Sequence, residues 1–391
     1  MHVRKHSKWI RRSLVLAMTA GFAPVMAATH GAKTVDGIAI SGYIDPTYIY
    51  NQDAHVSSFF FADRNTPYYY YHSTFGDLFL DFNKKFGNGG SVDIQIMPTR
   101  GYGSTFGSPT AAHAANSIIN AAVLTLPVSK GVDFIAGQVP AWDGYELETS
   151  PQMLTITHNL LYDFSEPGYF TGAGASFTSG ILTVHTLVGN SWNTAYTGSA
   201  TPTKAPTFEY RVSLAPTSAL SFGLYGTIGK NPTFKNPAVE TTRIYNDFDG
   251  TYTLGAATFN WQFDLGRQTA GAANGGNAMW YGTSLLANYR FTPLVGATLR
   301  YDYLNDKKNG GHVSTTDPYD GFYVPTVARG INNGPVRQAI TADLLLYPVK
   351  NTIVKFEYRY DRANGAMFLD TSTGAYKKGN NIVAAQVVYS F

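Results

Sequence analysis

Sixteen short stretches of period-two sequence run through residues 38–391, and the connections between them are alternately long and tight. Residues 352–361 show the period most plainly. One face carries Val354, Phe356, Tyr358 and Tyr360; the other carries Lys355, Glu357, Arg359 and Asp361. Alternation of this kind puts successive side chains on opposite faces of a β-strand. The same split sets Phe208, Tyr210, Val212 and Leu214 against Glu209, Arg211 and Ser213, and Phe259, Trp261, Phe263 and Leu265 against Asn260, Gln262 and Asp264. Turn residues delimit strands near 38–50, 68–83, 90–98, 117–127, 131–140, 168–178, 181–190 and 206–215. Eight more follow near 219–229, 243–254, 257–266, 279–291, 294–304, 336–348, 351–361 and 381–391. Helical periodicity is confined to short pieces around 111–120 or 152–162.

The tight connections are 84–89, 128–130, 179–180, 216–218, 255–256, 292–293 and 349–350. The long ones are 51–67, 99–116, 141–167, 191–205, 230–242, 267–278, 305–335 and 362–380. A sandwich or propeller shares the period of two but has no reason to alternate its loop lengths. A transmembrane barrel does, with short periplasmic turns and longer outer loops. The expected fold is therefore all-β, a transmembrane antiparallel up-and-down β-barrel of sixteen strands with both termini periplasmic. One hairpin more or fewer gives eighteen or fourteen. Composition agrees: 14% of residues are charged, where soluble domains average about 25%. The mean hydropathy of −0.13 is too polar for a bundle of membrane helices, yet it suits a barrel that shows lipid only alternate residues. Aromatic residues fall near strand ends (Tyr48 and Tyr50, Tyr301 and Tyr303, Tyr389 and Phe391), as membrane interfaces favour.

Residues 1–27 read as a secretory signal peptide. Arg4, Lys5, Lys8, Arg11 and Arg12 precede the apolar run 14–22, and Val25-Met26-Ala27 suits the cleavage site. Five of the 29 Lys+Arg lie there and none of the 26 Asp+Glu, so cleavage turns a net charge of +3 into −2. The basic pI leaves with the signal, and nucleic acid is not an expected partner. Residues 28–37 form a short lead, and 38–391 a single barrel domain.

Closure of sixteen strands leaves an aqueous channel, whereas eight are filled by side chains. With the apolar faces toward lipid, the lumen receives the ionic faces; the reverse would cost about 2–4 kcal/mol for each Lys or Arg near the midplane. The expected lumen residues are Asp45, Asp77, Asp343 and Glu357 facing Arg211, Arg300, Lys355 and Arg359. Acids outnumber bases, which implies a weak cation preference. The connection 141–167 carries Leu147, Met153, Leu154, Ile156, Leu160, Leu161 and Phe164, too apolar for a disordered loop. It is expected to fold inward with Asp143, Glu146 and Glu148 as constriction residues. Passive diffusion of small hydrophilic solutes follows, with outer-membrane lipid around the barrel and no cofactor.

The catalytic and nucleotide-binding signatures G-x-S-x-G, H-E-x-x-H and G-x-x-x-x-G-K-[ST] are absent. Cysteine is absent too, excluding thiolate chemistry. Asp247-Phe248-Asp249-Gly250 lacks the remaining ligands of a calcium loop. No catalytic or metal site is expected. The alternatives to a channel are a barrel hydrolase using His158 or His185, and an adhesin or structural barrel.

Gly137-Gln138, Asp143-Gly144-Tyr145-Glu146, Asn159, Tyr162 to Pro167 and Thr171-Gly172 form a pattern that resembles the OmpL-like beta-barrel porin family of Gram-negative outer membranes. Gly42-Tyr43-Ile44-Asp45 with Tyr50-Asn51, Trp280-Tyr281-Gly282 and the run 300–306 are similar to the same family. The resemblance implies an outer-membrane porin of unspecified solute. The long Tyr/Phe-rich segment from Phe59 to Tyr71 departs from it. The last strand, ending on Phe391, resembles the signal by which outer-membrane barrels are recognised, which implies the barrel assembly machinery as a partner. The oligomeric state is left open.

Overall fold

Strand Thr352–Ala363 buries Lys355, Glu357, Arg359 and Asp361 and exposes Phe356, Tyr358 and Tyr360. That inverts the ordinary distribution of soluble proteins, and it is the register expected from the sequence. In the computed structural model of the protein, the described residues are 33–53, 55–60, 76–87, 89–97, 119–190, 205–233, 235–236, 238–311 and 334–391. They form a closed antiparallel barrel of sixteen strands.

The first strand is broken by Pro46 into Ile38–Ile44 and Thr47–Asn51, since proline has no N–H to give the ladder. The second is also in two pieces, Val56–Phe60 and Leu78–Lys85, each paired with one half of the first. Of the strand expected at 68–83, the described part runs from Leu78, and the connection expected at 51–67 contains a tight turn followed by the strand Val56–Phe60. Residues 61–75 lie outside the described residues. The third to eighth strands are Ser91–Ile96, Ile119–Ser129, Val132–Pro140, Tyr169–Ser179, Leu182–Gly189 and Thr207–Thr217. The ninth to thirteenth are Leu220–Pro232, Glu240–Leu254, Ala257–Gln268, Ala278–Thr292 and Val295–Asn305. Val336–Leu346, Thr352–Ala363 and Gly379–Ser390 complete the circuit.

All seven tight turns fall where the sequence puts them. The long-side connections at 233–239 and 269–277 are shorter than expected because the flanking strands run past their turn signals. Residues 99–116 and 191–204, also expected as loops, lie outside the described residues, as does most of 305–335.

The sixteenth strand closes the sheet. One edge pairs with the fifteenth from Thr352↔Tyr389 to Arg362↔Gly379. The other pairs with both halves of the first, Asn51↔Ile382 to Thr47↔Gln386 and then Ile44↔Tyr389 and Tyr43↔Ser390. Gly42 and Phe391 exchange backbone hydrogen bonds of 3.0 and 2.9 Å. Beyond them the lead strand Lys33–Val35 pairs with Ile38 to Ile40 around the Asp36-Gly37 turn, continuing the line in which the last strand ends. Val383, Val387 and Tyr389 face outward with Phe391 and are exposed, whereas Ile382, Ala384, Gln386 and Val388 face inward and are buried.

Candidate functional site

The connection between the fifth and sixth strands leaves its neck at the Ala141 N–H to Gly168 carbonyl bond (3.1 Å) and runs along the inside of the barrel wall. Inside a barrel its backbone groups have no sheet partners, and each needs one. The wall's charged side chains supply them. Lys355 Nζ donates to the carbonyls of Ser150 (2.8 Å) and Thr155 (3.0 Å). Arg300 Nη1 donates to the Thr157 carbonyl (2.7 Å) and Thr155 Oγ1 (2.9 Å), and Nη2 to the His158 carbonyl (2.9 Å). Arg359 Nη1 reaches the His158 carbonyl (2.5 Å) and Thr157 Oγ1 (3.0 Å). In the opposite sense, Glu357 Oε2 accepts from the N–H groups of Ile156 (2.6 Å) and Thr157 (2.9 Å). Bases thus hold carbonyls and an acid holds amides, so 150–158 is clamped to the thirteenth and fifteenth strands.

The rest of the loop is anchored strand by strand. Arg211 takes the Trp142 carbonyl, Asp247 the Gly144 N–H (3.0 Å), and Tyr145 Oη meets Ser284 Oγ (2.6 Å). Glu146 receives Arg300 Nη1 on one oxygen (2.6 Å) and the Asn159 N–H on the other (2.7 Å). Ser150 Oγ donates to Asp45, which lies at the break in the first strand. The return is a short helix, Leu160–Phe164, started by Asn159 Oδ1 accepting from the Leu161 and Tyr162 N–H groups, both at 2.8 Å. Leu160, Leu161 and Phe164 are buried with Ile156 in the barrel's inner apolar cluster, and Met153 is buried as well. Gly282 leaves room for that helix: a Cβ there would come within 2.3 Å of Leu161 Cδ2. Of the loop's apolar side chains, Leu147 is exposed and Leu154 partly so.

The structure groups the sequence-selected residues differently from the expected arrangement of acids facing bases across water. Arg300, Lys355 and Arg359 are fully buried, and Glu357 nearly so, all in direct contact with the loop. Asp343 lies opposite Glu357 in the register and is buried beside it. Asp45 and Asp77 are neighbours, the Asp77 N–H donating to Asp45 Oδ1, and Gln386 Nε2 also donates to Asp45 (3.0 Å). Arg211 makes a bidentate pair with Asp249 at 2.6 and 2.8 Å. Among the loop acids, Glu146 is buried in its ion pair, while Asp143 and Glu148 are partly exposed. His158 Nε2 meets the Leu147 carbonyl (3.0 Å), and its ring stacks on Tyr162.

Sequence reading missed the acids around Gly144: Glu166, Asp247 and Asp264, with Gln262 among them. Asp247 and Asp264 oppose each other in register, and Gln262 Nε2 donates to Asp264 (3.0 Å) and to Glu166. They lie far apart in sequence: period two puts Gln262 and Asp264 on an inward face, while Asp247 stands out only as part of an incomplete calcium loop.

In solved structures the architecture is widespread. OmpF of Salmonella typhi in complex with daunomycin matches with a TM-score of 0.58 at 11% identity, over 92% of this chain and 100% of that one. The outer membrane channel DcaP of Acinetobacter baumannii gives 0.57 at 13% identity, over 92% and 99%. A trimer form of OmpT from Vibrio cholerae gives 0.57 at 11% identity, over 90% and 99%. At such identities the likeness is one of fold. No curated protein matches by sequence. A family model described as "Protein of unknown function (DUF3138)" matches residues 23–391. That model does not carry the OmpL-like name; what stands of the resemblance is the porin-like barrel. Matched over nearly its whole length, the chain belongs to the DUF3138 family.

Proposed function

We propose that this protein is an outer-membrane channel of porin type, through which small hydrophilic solutes diffuse passively with a preference for cations. One observation carries the reading: a closed sixteen-stranded barrel turns its ionic faces inward and its aromatic and aliphatic faces outward, with a loop lodged against its inner wall. Lipid outside is the environment in which Phe356, Tyr358 and Val387 belong on a surface. In this reading the short-turn rim and both termini are periplasmic, residues 1–27 are removed on export, and the strand ending at Phe391 is the assembly signal.

Charge pairing supports the cation preference. Among the described residues, Arg211, Arg300, Arg337 and Arg359 are each ion-paired to an inward carboxylate, and Lys355 is held by loop carbonyls. Asp45, Asp81, Asp93, Glu209 and Asp343 also lie buried on the inner side, with no such pair. The inward titratable groups without an ion pair are therefore mostly acids. Arg300, Lys355, Glu357 and Arg359 shape the passage by holding the loop, and Asp45, Asp77, Asp143, Glu148 and Asp343 lend it negative potential.

Reconstitution in planar bilayers under a KCl gradient tests the proposal. Stepwise conductance with a reversal potential toward the K⁺ equilibrium value is expected. Absence of channels from folded, heat-modifiable protein would overturn the channel reading, and a reversal potential of the other sign would overturn the cation preference.

A further inference from the structure

We propose that the acceptor cluster around Gly144 is a binding station for a small organic cation bearing several N–H donors, of the guanidinium or primary ammonium type. The proposal rests on the channel reading and names the class of solute that the channel retains. Four carboxyl groups lie around Gly144: Asp143 and Glu166 from the loop, Asp247 from the tenth strand and Asp264 opposite it on the eleventh, with Gln262 bonded to both Glu166 and Asp264. The geometry centres on one residue. The Gly144 N–H donates to Asp247 Oδ2 at 3.0 Å, and a Cβ on residue 144 would lie 3.2 Å from Glu166 Oε1 and 3.0 Å from Gln262 Oε1. Residue 144 has φ +67, which favours glycine, and its lack of a side chain lets the loop backbone come this close to the acceptors.

Carboxylates alone would not make a site. The second observation is a neutral group: Gln262 is fully buried, spends its amide N–H donors on Glu166 and Asp264, and leaves Oε1 with no donor. Asp143 Oδ2 is buried and without a donor too, while the residue as a whole stays partly exposed. The nearby cation does not serve the cluster directly, since the Arg211 guanidinium donates to Asp249, Ser213 and the Trp142 carbonyl. Buried acceptors left without donors cost free energy until a donor arrives. A donor-only occupant of positive charge satisfies both needs, and bidentate N–H donation to carboxylates is what a planar guanidinium supplies. A bare metal ion fits less well: among the described residues, no three His, Cys, Asp or Glu side chains are grouped so as to hold one. Tyr245 is buried on the tenth strand, two residues before Asp247.

The test uses the full-length exported protein, with ethylguanidinium as probe and tetramethylammonium as a cation of like charge with no N–H. Calorimetry on detergent-solubilised protein should show saturable ethylguanidinium binding and at least tenfold weaker tetramethylammonium binding. In bilayers, ethylguanidinium should block the K⁺ current in a saturable way, and Asp264→Asn with Glu166→Gln should raise the half-blocking concentration at least tenfold. Equal binding of the two cations, or no binding of ethylguanidinium, overturns the station, and this comparison needs no variant to fold. Loss of all K⁺ conductance from wild-type protein that still binds ethylguanidinium overturns the channel reading and leaves the station standing.

Discussion

Arg300 has no exposed surface, yet its guanidinium meets Glu146, Asp302, Thr155, and the carbonyls of Thr157 and His158. Removing one member of a buried, hydrogen-bonded charge network typically costs about 3–5 kcal/mol, because the partners stay buried without compensation. Arg300→Met should therefore release the loop from the thirteenth strand, lowering the melting temperature and raising single-channel conductance. Unchanged values for both would show that the clamp contributes little. Charge reversal at Arg300 and Arg359 should undock the loop in the same way. At Gly144 the constraint is backbone. Gly144→Ala puts a Cβ on a positive-φ residue and within 3.2 Å of Glu166, so a loss of more than about 1 kcal/mol is expected in denaturant or thermal unfolding.

The loop between the fifth and sixth strands has little regular structure of its own beyond the helix Leu160–Phe164 and a 3-10 turn at Ser150–Gln152. Its shape is set by the wall, since its amides and carbonyls are bonded to side chains of other strands. Deleting residues 147–160 should therefore leave the barrel assembled while raising conductance several-fold; unchanged conductance would place the narrowing elsewhere. A second element ties the two ends of the chain together on the long-loop side. The hairpin at 52–55 meets the connection 364–378 through the Thr371 N–H to Asp53 carbonyl bond (2.9 Å), His55–Asp370 (2.9 Å), Lys377–Asp370 (2.6 Å) and Lys377–Asp53 (3.3 Å). Bonds from Lys377 first, then Ser372 and His55, hold the Asp370 carboxyl well below its ordinary value. A depressed carboxylate stabilises above its unfolded pKa and loses that contribution as pH falls toward its folded one. Burial raises the Asp53 carboxyl instead, which acts in the opposite sense, so the loss in acid belongs to Asp370. Wild-type protein should lose more melting temperature between pH 6 and pH 3 than Asp370→Asn; equal losses would remove Asp370 from the latch.

For the molecule as a whole, closure governs stability, because a backbone group left unpaired in lipid costs several kcal/mol. The sixteenth strand serves two edges at once, pairing with the fifteenth along its length and with the interrupted first. Removing 381–391 should abolish assembly outright, read as loss of heat-modifiable migration; a truncated chain that still migrates as a folded barrel would refute this. Strand number, register and closure were all legible in the sequence. Period two assigns each side chain to a face, and the alternation of tight turns with long loops assigns each strand a direction. The broken second strand was not legible, because its pieces are paired by the break at Pro46, and no local pattern marks that pairing. The grouping of the inner charges was also beyond the sequence. Periodicity says that Arg300, Lys355, Glu357 and Arg359 point inward, but not whether water or protein meets them there. The tertiary structure decides it: a loop brought inside the barrel needs partners for its backbone, and the inward bases of the thirteenth and fifteenth strands stand where its carbonyls arrive.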